Sequence, residues 1–227
     1  MHSNQFVAGD NYSSVTSVVV VVLATWLALV FLLGAGGAFV RPPGTPPFPI
    51  LISFTAPIIF FLIAFWWSHA FREFVFAVDL RLATGIQAWR FAGLGFLALY
   101  AHGVLPGLFA WPAGLGDIAI GVTAPWVVLA LIRRPSFAAS KAFVVWNLLG
   151  ISDLVVAVST GALSSALALG VAGEITTAPM AQLPLVLIPA YFVPLFIMLH
   201  LTSLFQARSL KFEKGARLAP VLKDARA

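Results

Sequence analysis

The chain contains no cysteine. This excludes disulfides, zinc–thiolate centres and iron–sulfur clusters, and leaves the compartment open. Charge is almost as scarce: Asp, Glu, Lys and Arg together make up 9% of 227 residues, where a soluble domain carries about a quarter. Apolar residues make up 61%, and the mean hydropathy is +1.01. A water-soluble fold of this length would have too few polar side chains to cover such a surface. The expected class is therefore all-α: a polytopic integral membrane bundle with lipid as its main solvent and partner. Also missing are the nucleophile elbow, the phosphate loop, the zinc-protease helix and the dinucleotide fingerprint. No catalytic assignment follows from the residues.

Six stretches are long enough to cross a hydrocarbon core of about 30 Å. They run approximately over residues 15–40, 48–68, 91–111, 115–132, 142–163 and 183–207. The first sixteen residues lack Lys and Arg, and the run after them is about twice the length of a signal-peptide core, so the first span is expected to be retained. GAGGA at Gly34–Ala38 is the one small-residue patch that resembles a cleavage region. Residues 1–14 read as a polar tail, 15–207 as the membrane domain and 208–227 as a basic tail against an anionic leaflet. Within the domain, residues 70–88 mix Arg72, Glu73, Asp79 and Arg81 with apolar neighbours, the pattern of an amphipathic helix lying in the interface. RPPGTPPFP at Arg41–Pro49 reads as a stiff linker, and Pro57, Pro125, Pro189 and Pro194 fall inside spans.

The +5 net charge would suggest nucleic acid on a soluble surface, but here the basic residues occupy short loops and a tail, where they set topology. With the N-terminus inside, twelve basic residues lie on the inner side and Arg41 alone lies outside. Both termini are expected in the cytoplasm, with the chain in a cell membrane, of the bacterial inner-membrane type. No nucleic-acid partner is expected, and a chain of this size is compatible with a homo-oligomer.

The informative residues are the few charges inside the spans. GLGDIAIGVT at Gly114–Thr123 is echoed by GISDLVVAVS at Gly150–Ser159, with Trp111 and Trp146 shortly upstream. The copies would cross in opposite directions, a layout found at transporter sites. At 1.5 Å rise per residue, Asp117 lies roughly 24 Å from Arg133, Asp153 roughly 18 Å from Lys141, and His102 roughly 18 Å from Arg90. If those basic residues mark one boundary, the three ionisable groups share a layer. An ionised Asp facing lipid costs about 3 kcal/mol or more, so both acids should face the bundle interior.

The leading expectation is passage of a small solute or ion, proton-linked in one form, through Asp117, Asp153 and His102. The competing readings are structural. Asp117 follows a Trp-Pro-Ala-Gly turn and would cap the fourth helix, and Asp153 would bond Asn147, Ser152 or a neighbouring helix. Gln87 and Arg90 share a face and read as headgroup ligands or inner-boundary anchors. No cofactor is expected in the leading reading. A second reading makes His69 and His200 ligands of a haem or metal between spans. A third makes the protein a non-catalytic component acting through a partner, by its tail or the Arg72–Arg90 segment.

Overall fold

The computed structural model describes the backbone of residues 3–224 and the side chains of residues 14–211. Most side chains of the basic tail, and with them its expected leaflet contact, lie outside the described residues. So do the side chains of residues 1–13. The chain is all-helical, with no strand among the described residues. Six helical stretches are long and apolar enough to cross a membrane.

Helix α1 (Ser3–Ala35) leads through the proline-rich linker into α2 (Phe48–Trp67). A short α3 (His69–Ala77) turns the corner. The third span is composite: α4 (Leu80–Ile86), a 3₁₀ stretch at Gln87–Gly93, and α5 (Leu94–Ala101). Two long helices follow, α6 (Gly107–Arg133) and α7 (Lys141–Ala166). The last span enters through a π-turn at Ile188–Phe192 and continues as α8 (Val193–Asp224). Arg72, Arg81, Arg133, Arg134 and Lys141 fall at one end of the bundle, called here the basic end. The proline linker and the loop from Leu167 onward fall at the other.

Helix starts at the basic end follow local chemistry. Ser68 accepts from Phe71 N, Asp79 from Arg81 N and Ser140 from Phe143 N, each satisfying a first-turn donor that has no helical partner. Asp79 thereby begins the third span at Leu80, eleven residues before the Phe91 start read from hydropathy. The 70–88 segment is therefore not one helix: only α3 is separate, and Leu80 opens a helical stretch, to Ala101, long and apolar enough to cross a membrane. The fourth span also differs. Helix α6 starts behind Pro106 and runs unbroken through Pro112, so the Trp-Pro-Ala-Gly stretch is helical. Spanning helices tolerate an internal proline because neighbours and small backbone adjustments re-satisfy the freed carbonyl.

α6 is central, packed along the 3₁₀ stretch on one side and α7 on the other. Most of its buried residues are small, namely Ala110, Ala113, Gly114, Gly121 and Ala124, alongside Phe109, Ile120 and Leu131. Small side chains let backbones close in where apolar lipid supplies no hydrophobic drive for helix association. The approach is closest at Gly121, where a Cβ would collide with the backbone of Arg90 and Phe91. Apolar clusters pack toward both ends, around Phe96, Leu105 and Phe109 at the linker end and Leu131, Phe143 and Ala207 at the basic end.

The loop after α7 is tied by Glu174, whose carboxylate accepts from Leu169 N at 2.8 Å and Gly170 N at 2.6 Å. These backbone donors hold the Glu174 pKa below the ordinary carboxylate value. A lowered folded-state value means the tie is intact above the unfolded pKa and lost as pH falls through the folded one. Protection of the Leu169 and Gly170 amides, measured as exchange relative to the intrinsic rate at each pH, should therefore fall on acidification in wild type and lose that pH step in Glu174→Gln. A second expectation concerns packing: Gly121→Leu should lower stability in detergent by about 1–3 kcal/mol through overpacking. Gly95→Ala, with open space around its Cβ position, should unfold at the wild-type temperature.

Candidate functional site

Arg90 lies in the 3₁₀ stretch with its side chain fully buried, 0% exposed. A 3₁₀ helix has three residues per turn, so side chains three apart stack on one face instead of drifting as in an α-helix. Gln87, Arg90 and Gly93 are the buried residues of this stretch, and Thr84 and Phe96 extend the three-residue spacing at its ends. The tightened turn thereby keeps a polar stripe aimed at α6, α7 and α8.

All three guanidinium nitrogens are engaged. Nε donates to Asp117 Oδ1 at 2.7 Å, and Nη2 donates to Asp153 Oδ2. Nη1 donates to the Gly150 carbonyl at 3.3 Å and faces His200 Nε2 at 3.3 Å. The network continues outward. Asn147 Nδ2 donates to Phe143 O at 2.8 Å, so its Oδ1 is the atom that meets His200 Nδ1 at 2.9 Å. Oδ1 can only accept, which assigns the ring proton to Nδ1 and leaves Nε2 a lone pair for Arg90. Trp146 packs edge-on to the His200 ring at 5.4 Å between centroids, and its indole N–H donates to Thr123 Oγ1.

Close approach is again built on glycine. A Cβ at Gly116 would overlap the Asp153 carboxylate, and one at Gly150 would overlap the His200 ring. Formal charge does not cancel: two carboxylates face one guanidinium and one neutral imidazole. An arginine does not give up its proton in a protein. With both acids ionised the cluster is therefore one negative charge in surplus, and neutrality requires one added proton or cation.

The two acids keep 14% and 13% side-chain exposure, unlike Arg90. Asp117 reaches the end of a cavity of about 100 Å³ that opens at the linker end beside Arg41, Pro42 and Thr177. Toward the basic end the stripe continues with Gln87, whose Nε2 donates to Phe196 O at 3.2 Å. Two buried acceptors there, Gln87 Oε1 and Thr84 Oγ1, have no protein partner. Buried polar atoms in that condition usually bind internal water.

The structure brings Asp117 and Asp153 together but leaves His102 out. His102 is the exposed C-cap of α5, roughly 18 Å along the span from Arg90. Its inferred height used Arg90 as a boundary marker, and Arg90 is an interior residue. The same error placed Gln87 and Arg90 as headgroup or boundary anchors, whereas they are 1% and 2% exposed inside the bundle. Asp117 is no helix cap: it is the eleventh residue of α6 and bonds Arg90. Asp153 bonds a neighbouring helix, not Asn147 or Ser152. His69 and His200 are not brought together. His69 is exposed and 3.4 Å from Glu73, while both His200 nitrogens are occupied within the cluster. Among the described residues no group of three or more His, Asp or Glu is arranged to hold a metal ion.

The places of His200 and Asn147 in this cluster and the pairing role of Arg90 are what the sequence left unread. Charge balance could have found the last. Arg90 borders the third apolar stretch, and moving it inside brings a guanidinium to two acids that need a partner.

Removing the guanidinium leaves two buried carboxylates facing each other. Arg90→Met should lower stability by about 3–5 kcal/mol, the usual effect of breaking a buried pair from one side. Adding Asp153→Asn should restore part of that loss. Thermal unfolding of the four proteins of this double-mutant cycle in one detergent checks the coupling.

The sequence profile of a family described as Domain of unknown function (DUF8737) matches residues 47–208, a range holding every member of the cluster. No curated protein and no solved structure matches the chain significantly.

Proposed function

We propose that this chain, which belongs to the DUF8737 family, passes a small solute or ion across a membrane, coupled to a proton, through the Arg90–Asp117–Asp153–His200 cluster. The observation that carries the reading is the surplus acid. A purely structural polar core would be expected to balance its charges, because an uncompensated charge inside an apolar bundle costs several kcal/mol. Here one carboxylate more than the guanidinium can match is held midway along the spans, beside a cavity. Such a group loads and unloads one positive charge with little rearrangement.

Two further features support it. The cavity supplies access from the linker end as far as Asp117. The unpartnered Gln87 Oε1 and Thr84 Oγ1 supply acceptors for water on the other side of Arg90. The cluster thus has an open approach on one side and a narrow polar continuation on the other. That is the arrangement expected of a site reached alternately from two faces.

In this reading the chain spans a cell membrane six times, with the basic end in the cytoplasm. Taking Arg90 out of the inner-side count leaves eleven basic residues against Arg41 alone, still a strong positive-inside bias. The cytoplasmic side then contains both termini, and the cavity opens outward.

Proton and monovalent-cation flux into vesicles containing the purified protein, driven by an imposed potential, tests the proposal. Asp117→Asn and Asp153→Asn should each reduce flux at least tenfold while inserting normally, and His102→Ala should leave it unchanged. Full flux in both acid variants would exclude the mechanism.

A further inference from the structure

We infer that the cavity ending at Asp117 binds a small apolar monocation, an alkylammonium in chemical class, in competition with the proton. The inference takes the cluster as the working site proposed above and names what it takes.

The lining sets the chemistry. Along its depth the cavity is walled by Phe96, Phe109, Ile50, Leu154 and Val193, and Asp117 is its one acidic residue. The guanidinium that pairs with Asp117 has no exposure, so a molecule at the inner end meets carboxylate and not cation, while the one basic residue of the lining, Arg41, stands at the mouth. Anions are thereby disfavoured at the inner end. Hard inorganic cations are disfavoured too, since they take six or more oxygen ligands and these walls are hydrocarbon. The side-chain hydroxyls of the lining, Ser165, Thr176 and Thr177, are nearer the mouth and too few to complete such a shell.

An ammonium group on an aliphatic tail meets both requirements. Its N–H groups reach Asp117, its charge cancels the surplus, and its tail lies among aliphatic and aromatic side chains. The Phe96 and Phe109 rings, 5.2 Å apart between centroids, can add cation–π attraction. Size is bounded as well. An apolar cavity of about 150 Å³ accommodates benzene, so about 100 Å³ suits about four or five heavy atoms, with a longer tail extending to the mouth.

Competition follows from the charge count. One surplus negative charge is neutralised by one proton or by one ammonium, and not by both. The charged and titratable groups around Asp117 are Arg90 from the third span, Asp153 from α7, His200 from α8 and Arg41 at the mouth. The imidazole has both nitrogens engaged and Arg90 is permanently charged, which leaves the two carboxylates as carriers of the exchangeable proton. When the amine binds, that proton leaves through the mouth to water.

Calorimetry of the full-length protein in lipid nanodiscs tests this, with n-butylammonium, methylammonium, n-butanol and butyrate as probes. Repeating it in two buffers of different ionisation enthalpy counts released protons. The expected result is butylammonium binding that tightens up to tenfold per pH unit on the acid side, with proton release. Butanol and butyrate should bind at least tenfold more weakly.

Asp117→Asn should abolish both binding and release. Ala157→Leu narrows the cavity and leaves every charge in place. It should weaken butylammonium at least tenfold while changing methylammonium less than threefold. Butanol binding as well as butylammonium, affinity flat with pH, or an Ala157→Leu variant that binds butylammonium normally would each overturn the inference. Proton flux in vesicles without amine binding would overturn it and leave the passage reading standing. Amine binding with this pH signature but no flux would uphold the site and reject passage.

Discussion

One guanidinium organises this bundle. Arg90 cannot be neutralised by losing its proton, and taking it out of water is tolerable only if every nitrogen finds an acceptor. Those acceptors come from three other elements: Asp117 on α6, Asp153 and the Gly150 carbonyl on α7, and His200 on α8. The requirement is geometric as much as electrostatic. It sets the approach of four spans at one level, and much of the unusual local structure around it follows.

The 3₁₀ stretch is the first consequence. By keeping every third residue on one face it aims Gln87, Arg90 and Gly93 together into the interior. Glycines are the second. At Gly116, Gly121 and Gly150 a single added carbon would strike Asp153, the Arg90–Phe91 backbone or His200. The echoed segments are the third. Their aspartates arrive from antiparallel helices and meet the same guanidinium from two sides, while Thr123, which closes the first segment, holds the indole of Trp146 ahead of the second. The surplus acid then remains, among the described residues, as a buried charge that the cluster does not balance, and the cavity leads to it.

Much of the fold was legible because hydropathy acts over whole segments. Six spans were expected and six helices long and apolar enough were found. The errors fell where one charged or turn-forming residue was weighed without its partner. Arg72, Glu73, Asp79 and Arg81 looked interfacial and Arg90 served as a boundary marker, so the third span was begun at Phe91. Pro112 looked like a turn, so the fourth was begun at Leu115. In the site, Asp117 and Asp153 meet on Arg90, since an acid in an apolar run has few options besides an interior partner. His102 was included because its height had been measured from Arg90. His200 was read in isolation, and nothing in the chain near it signals Asn147, fifty-three residues away.

The sequence by itself determined the apolar composition, the number of segments long and apolar enough to cross a membrane, the charge bias between the two ends and the presence of two acids in need of inward-facing partners. These are properties of composition and one-dimensional spacing, and burial energetics reads them directly. Only the tertiary structure decided that Arg90 is the partner, that the tightened turn and the glycines bring it there, and that a cavity stops at Asp117. An interior charge is stabilised by groups distant in sequence, so whether it is a cost or a centre depends on contacts that no local pattern encodes.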